Sequence, residues 1–260
     1  MKKVNFHTHT YRCKHASGTE ADYIDKAYKL GFDRIGMSDH APFMDQDYGL
    51  RMMYDEFDEY LEKIEECRIR YAGRMEVYKS IEIEYLPKYE SYYEFLLNDK
   101  KLDYLILGEH FYMPDDNGVY PNIFNPKCSD TYPDYAKGIK DGLDSGFFTY
   151  VAHPDLFTLG DFAWDKNFDM AADIILDAAV KHNAILEINA NGFRRGIKEY
   201  PDGPRYMYPH RRFWEMVSKT ELRVVVGADA HSPELLWDDA MDIAYKWLDE
   251  LGITPYDHFE

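Results

Sequence analysis

Short apolar runs alternate with longer amphipathic stretches along the whole chain, seven times over, and that rhythm leaves few folds open. The β-rich runs fall at 4–6, 34–38, 77–84, 104–107, 149–152, 184–188 and 223–226. The third reads Val-Tyr-Lys-Ser-Ile-Glu-Ile-Glu, with the two-residue period of a strand. The intervening segments predict helices near 20–30, 54–71, 89–97, 132–143, 170–181, 209–219 and 233–251. Thr19 and Asp22 have the spacing of a capping box at the start of the first helix, and Gly31 supplies its stop. A strand that is always followed by a helix returns to the same sheet in parallel. Seven such units in 260 residues, without a linker, repeat or low-complexity tract, predict one α/β domain over 1–260 built on a parallel barrel-like sheet.

Potential metal ligands gather at one end of these strands. His7 and His9 close the first run, and His15 lies just beyond it. Asp39 and His40 follow the second, Glu82 lies near the end of the third, and Glu109 and His110 follow the fourth. His153 ends the fifth, Asn189 the sixth, and Asp229 and His231 follow the seventh. In a parallel barrel all strand C-termini open on one face, so these side chains converge over its mouth. Seven of the ten histidines stand at such positions, whereas scattered core or surface histidines would fall on helices and strand starts as well. His7 and His9 are two residues apart on an extended segment and point the same way, and Asp229 with His231 repeats that spacing. A carboxylate such as Glu82 can bridge two cations with its two oxygens. Mixed imidazole and carboxylate donors suit zinc, manganese or iron better than calcium. Several such cations would clamp a phosphoryl group.

Composition narrows the substrate. A formal net charge of -18 repels polyanions and lacks the Lys/Arg footprint of a nucleic-acid binder. An anionic substrate must therefore be met locally, by cations or a few arginines. Cys13, Cys67 and Cys128 form no CxxC pair, and the start of the chain has no apolar leader segment, so the expectation is a cytoplasmic protein without membrane association. His182, His210 and His258 read as surface residues, and Cys13 as a bystander among ligands.

Taken together, His7-Thr-His9-Thr, Ser38-Asp39-His40, the Glu82 strand, His110, His153-Pro154-Asp155 and Gly227-Ala228-Asp229-Ala230-His231 resemble the polymerase-and-histidinol-phosphatase (PHP) superfamily. The resemblance runs from about residue 4 to 232. It implies a distorted seven-stranded (β/α) barrel of TIM-like kind with two to three divalent transition metal ions. It further implies that His7, His9, Glu82 and Asp229 hold the first ion, that Glu82, His110 and His153 hold the second, and that His15, His40 and His231 hold the third. All nine positions carry a residue of the expected type. Two departures from the pattern are Ser80, where a glycine often precedes the glutamate strand, and Gly108-Glu109-His110.

Within the superfamily, the segment Glu187-Ile-Asn-Ala-Asn191-Gly-Phe-Arg194-Arg195-Gly, followed by Tyr208-Pro209, resembles the stand-alone histidinol-phosphate phosphatases. That implies an arginine bound to the substrate phosphate. Neighbours on an extended segment point apart, so one of Arg194 and Arg195 reaches the site, and Arg194 is the favoured one. The plainer reading of the loop is a solvated turn with incidental charge. The reaction expected is hydrolysis of a small phosphomonoester, L-histidinol phosphate first, through a hydroxide bridging two cations, with Asp229 or His231 handling a proton. Glu109, together with Asp155, is expected to attract the cationic end of that substrate. A phosphotyrosine or nucleotide phosphoesterase would share every ligand, and a non-catalytic metal-binding module would hold the same cations without turnover. An amidohydrolase would recruit a lysine or a two-metal pattern that the sequence does not show. Oligomeric state is open.

Overall fold

A computed structural model describes residues 2–112 and 120–259. Seven strands form one parallel sheet in chain order: β1 (Val4–Asn5), β2 (Arg34–Met37), β3 (Glu76–Ile83), β4 (Tyr104–Leu107), β5 (Tyr150–Val151), β6 (Ile185–Asn189) and, after a small hairpin, β9 (Arg223–Gly227). Between them run α1 (Glu20–Lys29), α2 (Phe57–Tyr71), α3 (Glu90–Asn98), α4 (Tyr132–Ser145), α5 (Lys166–His182), the short α6 (Ala190–Arg194) and α7 (Arg211–Val217), and α8 (Asp239–Glu250) ends the series. The expected capping box at Thr19 and Asp22 is present, with each side chain bonded to the other's backbone N–H.

The expected α/β barrel is thus the observed architecture, and its closure is partial. The β1 and β9 edges meet only beyond their strands, where Thr8 pairs with Ala230 and the His9 N–H donates to the Ala230 carbonyl at 3.0 Å. Lower in the seam the Asn5 side chain fills the place of a ladder bond, its Oδ1 accepting from the Ala228 N–H at 2.8 Å. Two apolar layers result. One packs the outer face of the sheet against the helices, through residues such as Ile35, Leu105, Leu107, Tyr135 and Ile175. The other fills the barrel with Val4, Phe6, Tyr104, Ile106, Tyr150, Ala152, Ile185 and Val225. The end of the chain closes the floor of that inner layer. Phe259 lies 4.2 Å from the Phe6 ring, and Pro255 bridges to Val224.

The 189–208 segment is more structured than a plain loop. It contains α6 and an antiparallel pair, β7 (Ile197–Lys198) with β8 (Arg205–Tyr206). Among the described residues no helix is long and apolar enough to cross a membrane.

Candidate metal centre

All nine side chains singled out in the sequence meet at the carboxyl end of the barrel. Glu82 stands in the middle. Its Oε2 lies 3.3 Å from His7 Nε2, 3.5 Å from His9 Nε2 and 3.1 Å from His40 Nδ1. Its Oε1 faces His153 Nε2 at 2.9 Å and His110 Nε2 at 3.3 Å. Asp229 Oδ1 completes the first group, 3.1 Å from His9 Nε2 and 3.8 Å from His7 Nε2. The rings of His15, His40 and His231 form an outer group, with centroids 4.6 to 6.5 Å apart.

Backbone features hold this crowd together. Gly108 makes room for the central carboxylate, since a Cβ there would lie 2.2 Å from Glu82 Oε1. Gly227 does the same for Glu187, at 2.1 Å. His153 and Asp229 carry φ of 30° and 45°, a left-handed conformation that costs a non-glycine residue about 1–3 kcal/mol. Both strained residues are candidate ligands at strand ends.

Hydrogen bonds on the far side of each ring decide which nitrogen faces inward. His7 Nδ1–H donates to Glu187 at 2.9 Å, His9 Nδ1 faces Asp39 Oδ1 at 3.4 Å, and His110 Nδ1–H donates to Glu84 at 3.0 Å. His15 and His231 donate from Nδ1 to the carbonyls of Cys13 and Asp229. With those protons placed outward, the inward Nε2 atoms are the ring positions left to take a cation or, without one, a further proton. Yet His7 Nε2 lies 3.1 Å from His9 Nε2, and His15 Nε2 lies 2.9 Å from His231 Nε2. Lone pairs facing one another at such distances repel unless a cation or a proton lies between them. The residues present therefore fit metal ions.

Charge in the cluster divides along the same lines. Burial alone would lower His9 and His110, but the carboxylates around them prevail, Asp229 and Asp39 lifting His9 to about 9 and Glu82 with Glu84 lifting His110 to about 10. His40 and His231 go the other way through burial and neighbouring imidazole, His231 falling to about 4. Burial opposes ionisation of Glu82 and Asp229, and the histidines around them overcome it and hold both well below the usual carboxylate range.

Beside the cluster lies a cavity of about 470 Å³. His15, His40, Glu82, His110, His153, Asp229 and His231 line one side, and Tyr48, Leu50, Phe111, Phe124 and Leu156 another. Gly49, Arg51, Asn122, Asn191, Arg195 and Tyr208 complete the wall.

Three readings from the sequence change here. Arg194, the arginine favoured for phosphate, turns away from the cavity. Its Nε donates to Asp238 at 2.7 Å, and its NH2 donates to the Leu235 carbonyl at 2.7 Å. The reason is local. Residues 190–194 are helical rather than extended, so neighbours differ by about a third of a turn instead of half, and it is Arg195, over the Tyr208 ring, that lines the cavity. Glu109 does not reach substrate either. It is buried against α4, accepts from the Tyr85 N–H at 3.3 Å, and burial with Glu84 nearby raises it well above the usual carboxylate range. Asp155 is fully buried too, accepting from the His210 N–H and the Trp214 indole. Finally, His210 is a buried cap of α7 rather than a surface residue.

Sequence reasoning gave Glu187 and Glu84 no role in orienting the histidines, although both carry a signal. Glu187 lies on β6 and Glu84 one residue past the end of β3, each two residues from another polar position, Asn189 and Glu82 respectively. Asp39 acts as a buried hub, accepting from the Thr10 N–H and hydroxyl as well as facing His9. Cys13 donates its thiol hydrogen to the Thr10 carbonyl.

The chain is similar to known proteins. A probable histidinol-phosphatase of Deinococcus radiodurans is 27% identical over 232 residues, covering 87% of this chain and 85% of that protein. A histidinol-phosphatase of Bacillus subtilis is 23% identical over 274 residues, covering 95% of this chain and 97% of that protein. The crystal structure of the Lactococcus lactis histidinol phosphate phosphatase, complexed with zinc, L-histidinol and phosphate, shares the fold with a TM-score of 0.73 at 15% identity, over 98% of this chain and 95% of that one. The PHP domain itself matches residues 5–191, well over half of the sequence. The chain belongs to the PHP domain family.

Proposed function

We propose that this chain is a metal-dependent phosphomonoester hydrolase that converts L-histidinol phosphate to L-histidinol and phosphate. The observation that carries the reading is the set of inward imidazole nitrogens opposed at close range around Glu82, beside a cavity that Arg51 and Arg195 line. The names of the Deinococcus, Bacillus and Lactococcus proteins supply the substrate.

His7, His9, Glu82 and Asp229 would hold one ion, Glu82, His110 and His153 a second, and His15, His40 and His231 a third, with zinc, manganese or iron matching the donors. Bound there, such ions would supply Lewis-acid charge to the phosphoryl oxygens and activate water. Arg195 places a guanidinium over the same space and would bind a non-bridging phosphoryl oxygen. Asn191 donates to Asp229 Oδ2 at 3.1 Å and so fixes the rotamer of that ligand. Asp229 and His231 stand in the cavity wall, both unprotonated on the cavity side, and would orient the water that carries a proton to the departing oxygen. The leaving group would lie against Tyr48, Phe111 and Phe124, where aromatic faces attract a cationic amine or imidazolium in place of the carboxylates first expected there.

The test is phosphate release from L-histidinol phosphate, an aryl phosphate and a nucleoside monophosphate, each with manganese, zinc or iron. The expected result is a kcat/KM for histidinol phosphate at least about tenfold above the others. Equal turnover of all three would overturn the substrate, and no release from any would overturn the hydrolase.

A further inference from the structure

The aromatic wall of the cavity and the His110 donor are joined by a side chain with no part in the chemistry above. Arg51 is buried, its side chain 6% exposed. Its NH1 and NH2 donate to the two oxygens of Glu84 at 3.2 and 3.1 Å. NH1 also donates to the Ala41 carbonyl at 3.1 Å, and Nε to the Gly49 carbonyl at 3.3 Å. The guanidinium lies 5.3 to 5.8 Å from the rings of Phe43, Tyr48 and Phe111. Glu84 in turn takes the Nδ1–H of His110, whose Nε2 faces Glu82. One line of contacts thus runs from the cavity wall to the centre of the donor cluster.

We propose that Arg51 is a positioning residue for this site. It holds the carboxylate that aims His110 and at the same time fastens the 41–51 segment, whose Tyr48 and Leu50 wall the leaving-group side. A buried ion pair contributes little net stability compared with apolar residues of the same volume, because desolvation offsets the attraction. What the pair supplies here is geometry. Only a planar fork can grip both Glu84 oxygens while lying among three aromatic rings, so an ammonium is no substitute. The inference rests on the cation cluster and not on the identity of the substrate.

The experiment compares Arg51→Lys, Arg51→Met, Glu84→Gln and the double variant R51M/E84Q with the parent protein. Zinc affinity is read by competition with a chromophoric chelator, and the melting temperature of each cation-free protein is read in parallel. Each single change is expected to lower zinc affinity about 10–100-fold, as loss of a partner behind a ligand does elsewhere. Arg51→Lys should fail to restore it. The double variant should fall no further than the worse single one, because both residues act through the same contact. Unchanged zinc affinity with a lowered cation-free melting temperature would show a merely structural pair and overturn the proposal, as would losses that multiply in the double variant. If Arg51→Met does not fold, Arg51→Lys and Glu84→Gln decide on the same reading. A parent protein that binds zinc but releases no phosphate would sink the proposed reaction and leave this test intact.

Discussion

Two neighbouring arginines leave α6 in different directions, and their substitution should separate stability from catalysis. Arg194 ties the Asp238 carboxylate to the Ala228 and Leu235 carbonyls, one residue before Asp229. Arg194→Ala should cost about 2 kcal/mol of stability, as charge-assisted hydrogen bonds in partly buried places do, with KM near that of the parent. Arg195→Ala should leave the melting temperature close to the parent's while raising KM and lowering kcat, about tenfold or more in kcat/KM. Steady-state kinetics and thermal melts of the two variants check this directly. His210 gives a prediction in pH. Burial, with Arg205 and Arg212 nearby, depresses it to about 4, whereas the unfolded chain takes up its proton near 6.5. Its contribution is therefore present above pH 6.5 and lost as pH falls from there to about 4. His210→Asn keeps a capping side chain without the titration. The stability advantage of the parent over that variant should shrink on acidification from pH 7 to 4.5, and a gap independent of pH would contradict the assignment. At this scale the candidate ligands were legible in the sequence because they gather at and just beyond strand ends. Arg194, Glu109 and His210 were not, because their fate turns on whether a five-residue stretch is helical and on which residues of α4 and the 155–164 region cover them.

Whole elements were legible for a different reason. Each of the seven longer helical segments buries one face, which writes a period into the sequence, and most of the barrel strands are buried on both faces, which leaves short apolar runs. The β7–β8 hairpin lacks both. Its strands are two residues long, and Ile197 and Lys198 are both exposed, so no buried face on β7 marks the pairing. The barrel floor was hidden as well, because the tail after α8 carries no period. Tyr256 and Phe259 nonetheless complete the inner layer, with Phe259 tilted against Tyr104 at 4.9 Å and stacked on Tyr150 at 5.7 Å. Phe259→Ala should destabilise the fold by about 2–3 kcal/mol, somewhat below a fully buried phenylalanine because the ring is only partly covered. Urea unfolding measures it. A change under a few tenths of a kcal/mol would mean that the tail rests on the barrel without filling it. Zinc affinity should be unaltered, since the floor lies at the opposite end of the strands from the donors.

At the scale of the molecule, a net charge of -18 and a nest of opposed lone pairs point to one dependence. The protein surface offers an anionic substrate nothing, so the attraction must come from ions held at the barrel mouth and from Arg195. Binding them also relieves the repulsion inside the cluster, so loaded protein should melt well above stripped protein. The most direct test follows phosphate release from L-histidinol phosphate while chelator-stripped protein is titrated with manganese or zinc and the bound ions are counted by elemental analysis. Release should vanish on stripping and return in step with more than one bound ion per chain. Undiminished release from protein shown to hold no metal would contradict the account.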